Sequence, residues 1–323
     1  MNHIDRYRDE ISSYIDQLQL NTNPKELYEP VEYILKIGGK RLRPVLTLFS
    51  AEVFGSKSKE ALNAAIAIEM FHNFSLIHDD IMDDAPLRRG QQTVHEKWNI
   101  NTGILSGDAM LILAYQYFEN YEPQVFRELA RLFSKTALEV CEGQQWDINF
   151  EKRTDVTIEE YIKMIEYKTA VLVGAAFEMG AIVAKTTEFN KKAIYDYGRY
   201  LGIAFQLQDD YLDAFGDAAT FGKQVGGDIL ENKKTFLYLK SLINANAEQK
   251  VALQNWFATT DISTEKVEAV KQLFEETGVV NDSVKMIEEY TQKALDILEQ
   301  LTIDIEYKEE LKQFSLALMN RKV

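Results

Sequence analysis

Cysteine is almost missing from this chain: 323 residues carry one, Cys141. That excludes an internal disulfide framework and leads one to expect a reducing, cytoplasmic setting. Proline and glycine are also few, at 5 and 16 residues, while 46% of the chain is hydrophobic. Such a composition argues against disorder and for a sizeable core. No apolar run approaches the roughly 20 residues of a membrane span, so a soluble protein without a transmembrane segment is expected. The start, Met1-Asn2-His3-Ile4-Asp5-Arg6, is polar and lacks a basic-then-apolar signal pattern. Positive charge is the last deficit. Lys and Arg number 36 against 51 Asp and Glu, for a net charge of −15. A nucleic-acid partner is disfavoured, because that binding rests on basic patches that neutralise phosphates. An anionic substrate would need a site locally inverted by clustered cations or bound metal.

What is present is helical periodicity, with no convincing strand alternation, linker or repeat. The pattern predicts helices over about 4–20, 24–36 and 42–53, then a long one over 58–82. Further helices are predicted over 101–120, 124–147, 157–185 and 189–214, and shorter ones over 229–245, 248–258, 263–277, 280–301 and 305–320. Gly216, Gly222, Gly226 and Gly227 mark a loop over 215–228. The fold class is therefore all-α, a single domain over residues 1–323 built as one large helical bundle. In the 58–82 segment, Ile66, Met70, Phe74, Ile77 and Ile81 form one stripe, and Ile68, His72, Ser75 and Asp79 another. A helix apolar on more than one side is buried on more than one side, so it belongs in the middle of a bundle.

That helix ends in His78-Asp79-Asp80-Ile81-Met82-Asp83-Asp84, followed by Pro86-Leu87-Arg88-Arg89-Gly90. Continued helix would stack Asp79 on Asp83 and Asp80 on Asp84. Like charges at that spacing repel unless a cation sits between them, and carboxylate oxygens suit magnesium. Alone, such a motif reads as a solvated acidic helix end. A second cluster, Gln208-Asp209-Asp210-Tyr211-Leu212-Asp213, repeats the Asp-Asp-x-x-Asp spacing at the end of another long helix. The demanded cations also occur in groups: Gly38-Gly39-Lys40-Arg41-Leu42-Arg43-Pro44, Arg88-Arg89, Lys168, and Lys223, Lys233 and Lys234. Together they look like two diphosphate sites, one held through metal and one gripped directly by Arg and Lys.

These motifs, in this order and spacing, closely resemble the trans-isoprenyl diphosphate synthases, or polyprenyl synthetases, over most of the chain. The resemblance implies the isoprenoid synthase fold, with a substrate cavity between the aspartate-bearing helices. It also implies Mg-dependent head-to-tail condensation of isopentenyl diphosphate with an allylic diphosphate, releasing diphosphate. Asp79, Asp83 and Asp209 resemble the magnesium ligands, roughly three ions per site. Asp80, Asp84, Asp210 and Asp213 would support them through metal-bound water. Arg88, Lys168, Thr169, Gln206, Lys223 and Lys233 match positions contacting the allylic substrate, with Lys168, Thr169 and Gln206 also helping to stabilise the cation. Lys40, Arg43, His72 and Arg89 match the isopentenyl diphosphate site. His78 is expected to pack between helices or to support the site, not to bind metal.

In that family the fifth and fourth residues before the first motif often set product length; here they are Phe74 and Ser75. An aromatic at the fifth position, without an insertion in the motif, favours geranylgeranyl diphosphate over farnesyl diphosphate. Phe71 would limit longer growth. The alternatives are a class I terpene cyclase and a catalytically silent partner subunit. The family is usually homodimeric, and helices around 101–147 offer an apolar face for pairing.

Overall fold

A computed structural model describes residues 2–20, 23–216, 226–259 and 263–319. Its elements run α1 (Asn2–Gln17), α2 (Lys25–Lys36), α3 (Leu42–Val53), a 3-10 turn (Ser58–Ala61) and α4 (Leu62–Met82). A ribbon of β1 (Leu87–Arg88) and β2 (Gln91–Gln92) precedes α5 (Val94–Lys97), α6 (Ile100–Phe118) and α7 (Pro123–Lys152). Then come α8 (Ile158–Ile165), a π turn (Glu166–Ala170), α9 (Val171–Val183) and α10 (Glu188–Phe215). The series ends with α11 (Gly227–Leu230), α12 (Phe236–Asn244), α13 (Ala247–Trp256), α14 (Thr264–Glu276), α15 (Val279–Gln300) and α16 (Ile305–Met319). Among the described residues, no helix is long and apolar enough to cross a membrane. The chain divides into two compact units. One is Met1–Ala137 with Ala175–Tyr195, and the other is Leu138–Gly174 with Asp196–Val323.

In the first unit α4 is the central element, packed by α2, α3 and α6. The first half of its double stripe is covered on every side, every residue from Ala64 to Phe71 being buried, whereas His72, Phe74, Ser75, Asp79 and Ile81 are half-buried. That run includes a charge, Glu69, which only a partner can make tolerable. Arg41 supplies it, with Nη1 2.5 Å from Glu69 Oε1, and also donates to the Leu35 carbonyl. Arg41 adopts a left-handed conformation, φ 48°, just ahead of α3, so its side chain turns inward. One of the three cations at that helix start is therefore spent on the core. Two hydroxyls join α3 to α9: Thr47 Oγ1 donates to Ala176 O at 2.9 Å and Ser50 Oγ to Phe177 O at 2.6 Å. Gly180 allows this approach, since a Cβ there would lie 2.3 Å from the Thr47 carbonyl oxygen.

In the second unit, Tyr161, Ile165, Leu207, Phe236, Val270 and Phe274 are among the residues that form the core. Tyr197 anchors α16 by donating to Leu311 O at 2.9 Å. Two predicted helices are interrupted here. The 157–185 helix widens into the π turn, where Gly143 of α7 allows close approach: a Cβ there would lie 2.3 Å from Lys168 N. The 229–245 helix splits into α11 and α12 around Asn232, at φ 58°. Asn232 is held by Lys266, a fully buried lysine whose Nζ donates to Asn232 Oδ1 at 2.8 Å and to Thr259 O at 3.2 Å.

Glu69→Ala would leave the Arg41 guanidinium buried without its carboxylate. We expect a loss of roughly 3–5 kcal/mol in urea unfolding; an unchanged midpoint would show that this pair does not hold the first unit together.

Candidate active site

The first acidic motif forms where α4 stops. Asp83 N still donates to Asp79 O at 2.9 Å, so Asp79 and Asp83 stand one turn apart as predicted. The predicted stacking of Asp80 on Asp84 does not form. Asp84 takes φ 50° and leaves the helix, while Ala85 N closes the turn on Asp80 O at 2.9 Å. Asp80 instead meets Arg88: Nε is 2.8 Å from both carboxylate oxygens and Nη2 is 2.6 Å from Oδ1. Asp79 Oδ2 lies 3.9 Å from the same guanidinium.

Arg88 reaches Asp80 because the segment after α4 is a hairpin, which periodicity did not reveal. Leu87 pairs with Gln92 and Arg88 with Gln91. The two residues between them, Arg89 and Gly90, have φ 52° and 75°. Positive φ at both central positions marks a type I′ turn, whose twist matches that of the paired strands. Arg89 reaches the Gly38 carbonyl, and Gly39 leaves room for it: a Cβ there would sit 2.6 Å from the guanidinium.

Lys40, Arg43, His72 and Arg89 therefore belong to one region of the first unit. Arg43 Nη1 lies 3.2 Å from His72 Nε2. A guanidinium only donates, so Nε2 accepts and the proton of neutral His72 sits on Nδ1. Loss of water, followed by the charges of Arg43, Arg89, Arg88 and Arg41, holds His72 well below its ordinary range. Desolvation, with Arg89 adding to it and Glu69 opposing, lowers Arg43 to about 10. Arg89 is lowered by desolvation and by Arg41 and Arg88, again with Glu69 opposing. Among the described residues, neither Arg43 nor Arg89 has a carboxylate within ion-pair distance.

The second motif lies on α10 in the second unit. Asp210 is buried and accepts from Gln206 Nε2 at 2.9 Å and from the Tyr161 hydroxyl. Thr169 Oγ1 in turn donates to Gln206 Oε1 at 3.1 Å, linking the π turn to the motif. Burial, then Asp209 and Asp213, pushes Asp210 up to about 7, although Tyr161 and Gln206 pull the other way. Asp213 Oδ2 accepts from Asp228 N at 3.0 Å and so caps α11. Lys168 Nζ lies 2.6 Å from Asp147 Oδ2, and Lys233 Nζ is 3.9 Å from the same oxygen and 3.6 Å from Glu151. Lys223 lies outside the described residues.

The proposed length-setting residues line α4 below the first motif. Phe71 is buried, with its ring 5.5 Å from Phe74 and 5.2 Å from Phe133. Phe74 is half-buried, 4.7 Å from the His78 ring, and Ser75 turns its hydroxyl back onto His72 O at 2.8 Å. His78 packs against α6: Nε2 is 3.2 Å from Ile104 O, and a Cβ at Gly107 would collide with the ring. Helix packing is what the sequence predicted for His78.

Asp147 and Tyr161 escaped the sequence reading. Asp147 sits mid-helix with no motif around it, and only the meeting of Lys168 and Lys233 marks it. In chemical terms, the first unit offers hard oxygen donors suited to a divalent cation and two guanidiniums, Arg43 and Arg89, suited to a polyanion.

The Polyprenyl synthetase family profile matches residues 24–277. The geranylgeranyl diphosphate synthase of Methanosarcina mazei is 40% identical over 294 residues, covering 89% of each chain. That of Geoglobus acetivorans is 39% identical over 293 residues, covering 90% of this chain and 89% of its own. A crystal structure of a geranylgeranyl pyrophosphate synthase superimposes with a TM-score of 0.96 at 55% identity, covering 100% of both chains. The aspartate turns and arginine hairpin thus sit in a chain that belongs to the polyprenyl synthetase family, an all-α prenyltransferase of the isoprenyl diphosphate synthase type.

Proposed function

We propose that residues 1–323 act as one polyprenyl synthetase domain that condenses isopentenyl diphosphate with an allylic diphosphate, with geranylgeranyl diphosphate as the product. The observation that carries this reading is the Arg43–Arg89 pair. In a protein of net charge −15, two desolvated guanidiniums beside a neutral His72 have, among the described residues, no carboxylate within ion-pair distance. A diphosphate supplies the missing anion, and Lys40 extends the grip. The names of the curated relatives support the twenty-carbon product over farnesyl diphosphate.

The donor set fits magnesium, on which polyprenyl synthetases depend. Asp79 and Asp83 present carboxylates on one turn, Asp209 heads the second motif, and all are hard oxygen ligands. We assign the metal to Asp79, Asp83 and Asp209, with about three ions per site. Bound magnesium supplies positive charge to the allylic diphosphate as its carbon–oxygen bond breaks. Lys168, Lys233, Lys223 and Arg88 are assigned to the same leaving group. Asp80, Asp210 and Asp213 orient this shell, Asp80 by fixing Arg88. Thr169 and Gln206, neutral dipoles linked to each other, face the allylic cation together with Lys168. The isopentenyl double bond attacks that cation, a carbon–carbon bond forms, and the departing diphosphate takes the proton lost.

Asp79→Ala and Asp209→Ala should each reduce turnover at least about a hundredfold while the circular dichroism melt is unchanged. Chelation of magnesium should do the same to the parent enzyme. Near-normal turnover in both variants would remove the assignment.

The ring of Phe74 is assigned as a partial floor for the growing chain, with room beside Ser75 and a second barrier at Phe71. Phe74→Ala should therefore shift the products to longer chains, read by chromatography of the dephosphorylated alcohols. Unchanged lengths would show that Phe74 is ordinary core.

We place the enzyme in the cytoplasm as a homodimer. On α6, Ile100, Ile104, Leu105 and Ile112 are 53%, 41%, 60% and 59% exposed, a large uncovered apolar face. Replacing Leu105 and Ile112 together by Glu should turn a dimer into a monomer in sedimentation velocity. A monomeric parent protein would refute the pairing.

A further inference from the structure

We propose that Asp84, His95 and Glu96 form a second divalent-metal site, selective for a zinc-like ion and distinct from the magnesium-binding aspartates. The candidate ligand atoms of the three residues all lie within 4.8 Å of one another. His95 Nε2 is 3.8 Å from Glu96 Oε1. The His95 side chain is only 4% exposed, and neither ring nitrogen has a hydrogen-bond partner among the described residues. Buried polar groups are almost always bonded, so an imidazole left open between two carboxylates is aimed at something they share.

The donor chemistry indicates the ion. Magnesium takes all-oxygen shells, whereas one imidazole with two carboxylates suits zinc or a related first-row metal. Bonds of about 2.0–2.2 Å place ligand atoms at most about 4.4 Å apart. Asp84 and Glu96 are exposed side chains, free to close that small difference, and solvent access leaves further positions for water. The backbone prepares the site: at φ 50°, Asp84 has left α4, and α5 carries the other two ligands.

The consequence lies between the ligands. Asp84 and His95 flank the segment that carries the Arg88–Arg89 hairpin. Its base is already tied by Thr93 Oγ1 to Ala85 O at 2.7 Å and by Thr93 N to Pro86 O at 3.1 Å. A metal bridging Asp84, His95 and Glu96 staples that base and steadies both arginines.

The test uses the full chain, stripped with chelator, labelled with 15N in its histidines and saturated with magnesium so that the oxygen-only sites are filled. Zinc is then titrated alone and the imidazole resonances are followed. One Nε2 signal should shift and saturate at one equivalent, and that response should be missing in His95→Gln. Glu96→Gln, at an exposed position, should keep the fold and weaken zinc binding at least about tenfold. If zinc shifts no imidazole signal, or shifts only signals that persist in His95→Gln, the site does not exist. Unchanged zinc affinity in Glu96→Gln would also overturn it.

Discussion

A carboxylate with almost no access to water has to be paired, and Asp80, 1% exposed, is gripped through both oxygens by Arg88. Burial still holds its pKa above the usual range, with Arg88 pulling the other way. Much of the first unit's site follows from meeting that need. Arg88 arrives on a strand pair closed by a left-handed Arg89-Gly90 turn. The same turn sends Arg89 to Gly38 and into the neighbourhood of Arg43 and His72. One fork thus links the acidic end of α4 to the cationic start of α3. Within this unit the Asp80 charge is met by Arg88, while among the described residues Arg43 and Arg89 have no carboxylate within ion-pair distance.

The second unit solves the same problem without a guanidinium. Asp210 is met by the neutral donors Tyr161 and Gln206, and burial together with the neighbouring Asp209 and Asp213 pushes its pKa up. Nearby, Lys168 and Lys233 converge on Asp147. The π turn belongs to the same arrangement: it places Thr169 against Gln206, and Gly143 allows its backbone to approach α7.

Much of this was legible in the chain. The all-α class, nearly every helix and the buried position of α4 within its unit follow from periodicity, because a helix hydrophobic on two sides has to be covered on two sides. The paired aspartate motifs and the separate groups of cations were equally plain. Three features were not. The hairpin is two residues per strand, too short for any alternation to register. The π turn leaves the 3.6-residue pattern nearly intact on either side. Asn232 breaks a predicted helix because a buried Lys266 holds its side chain, a contact between residues 34 apart.

By itself, the sequence determined the helices, the charge balance and the acidic and basic groups, since these depend on residue type and spacing along the chain. Only the tertiary structure decided how those charges are spent, because pairing depends on which side chains meet. Arg41 looked like an anion-binding residue and is a core ion pair with Glu69. Asp84 looked like the partner of Asp80 and instead lies with His95 and Glu96. Asp147 carried no signal and receives two lysines. In each case a left-handed residue or a long-range contact redirected a side chain, and helical spacing holds no information about either.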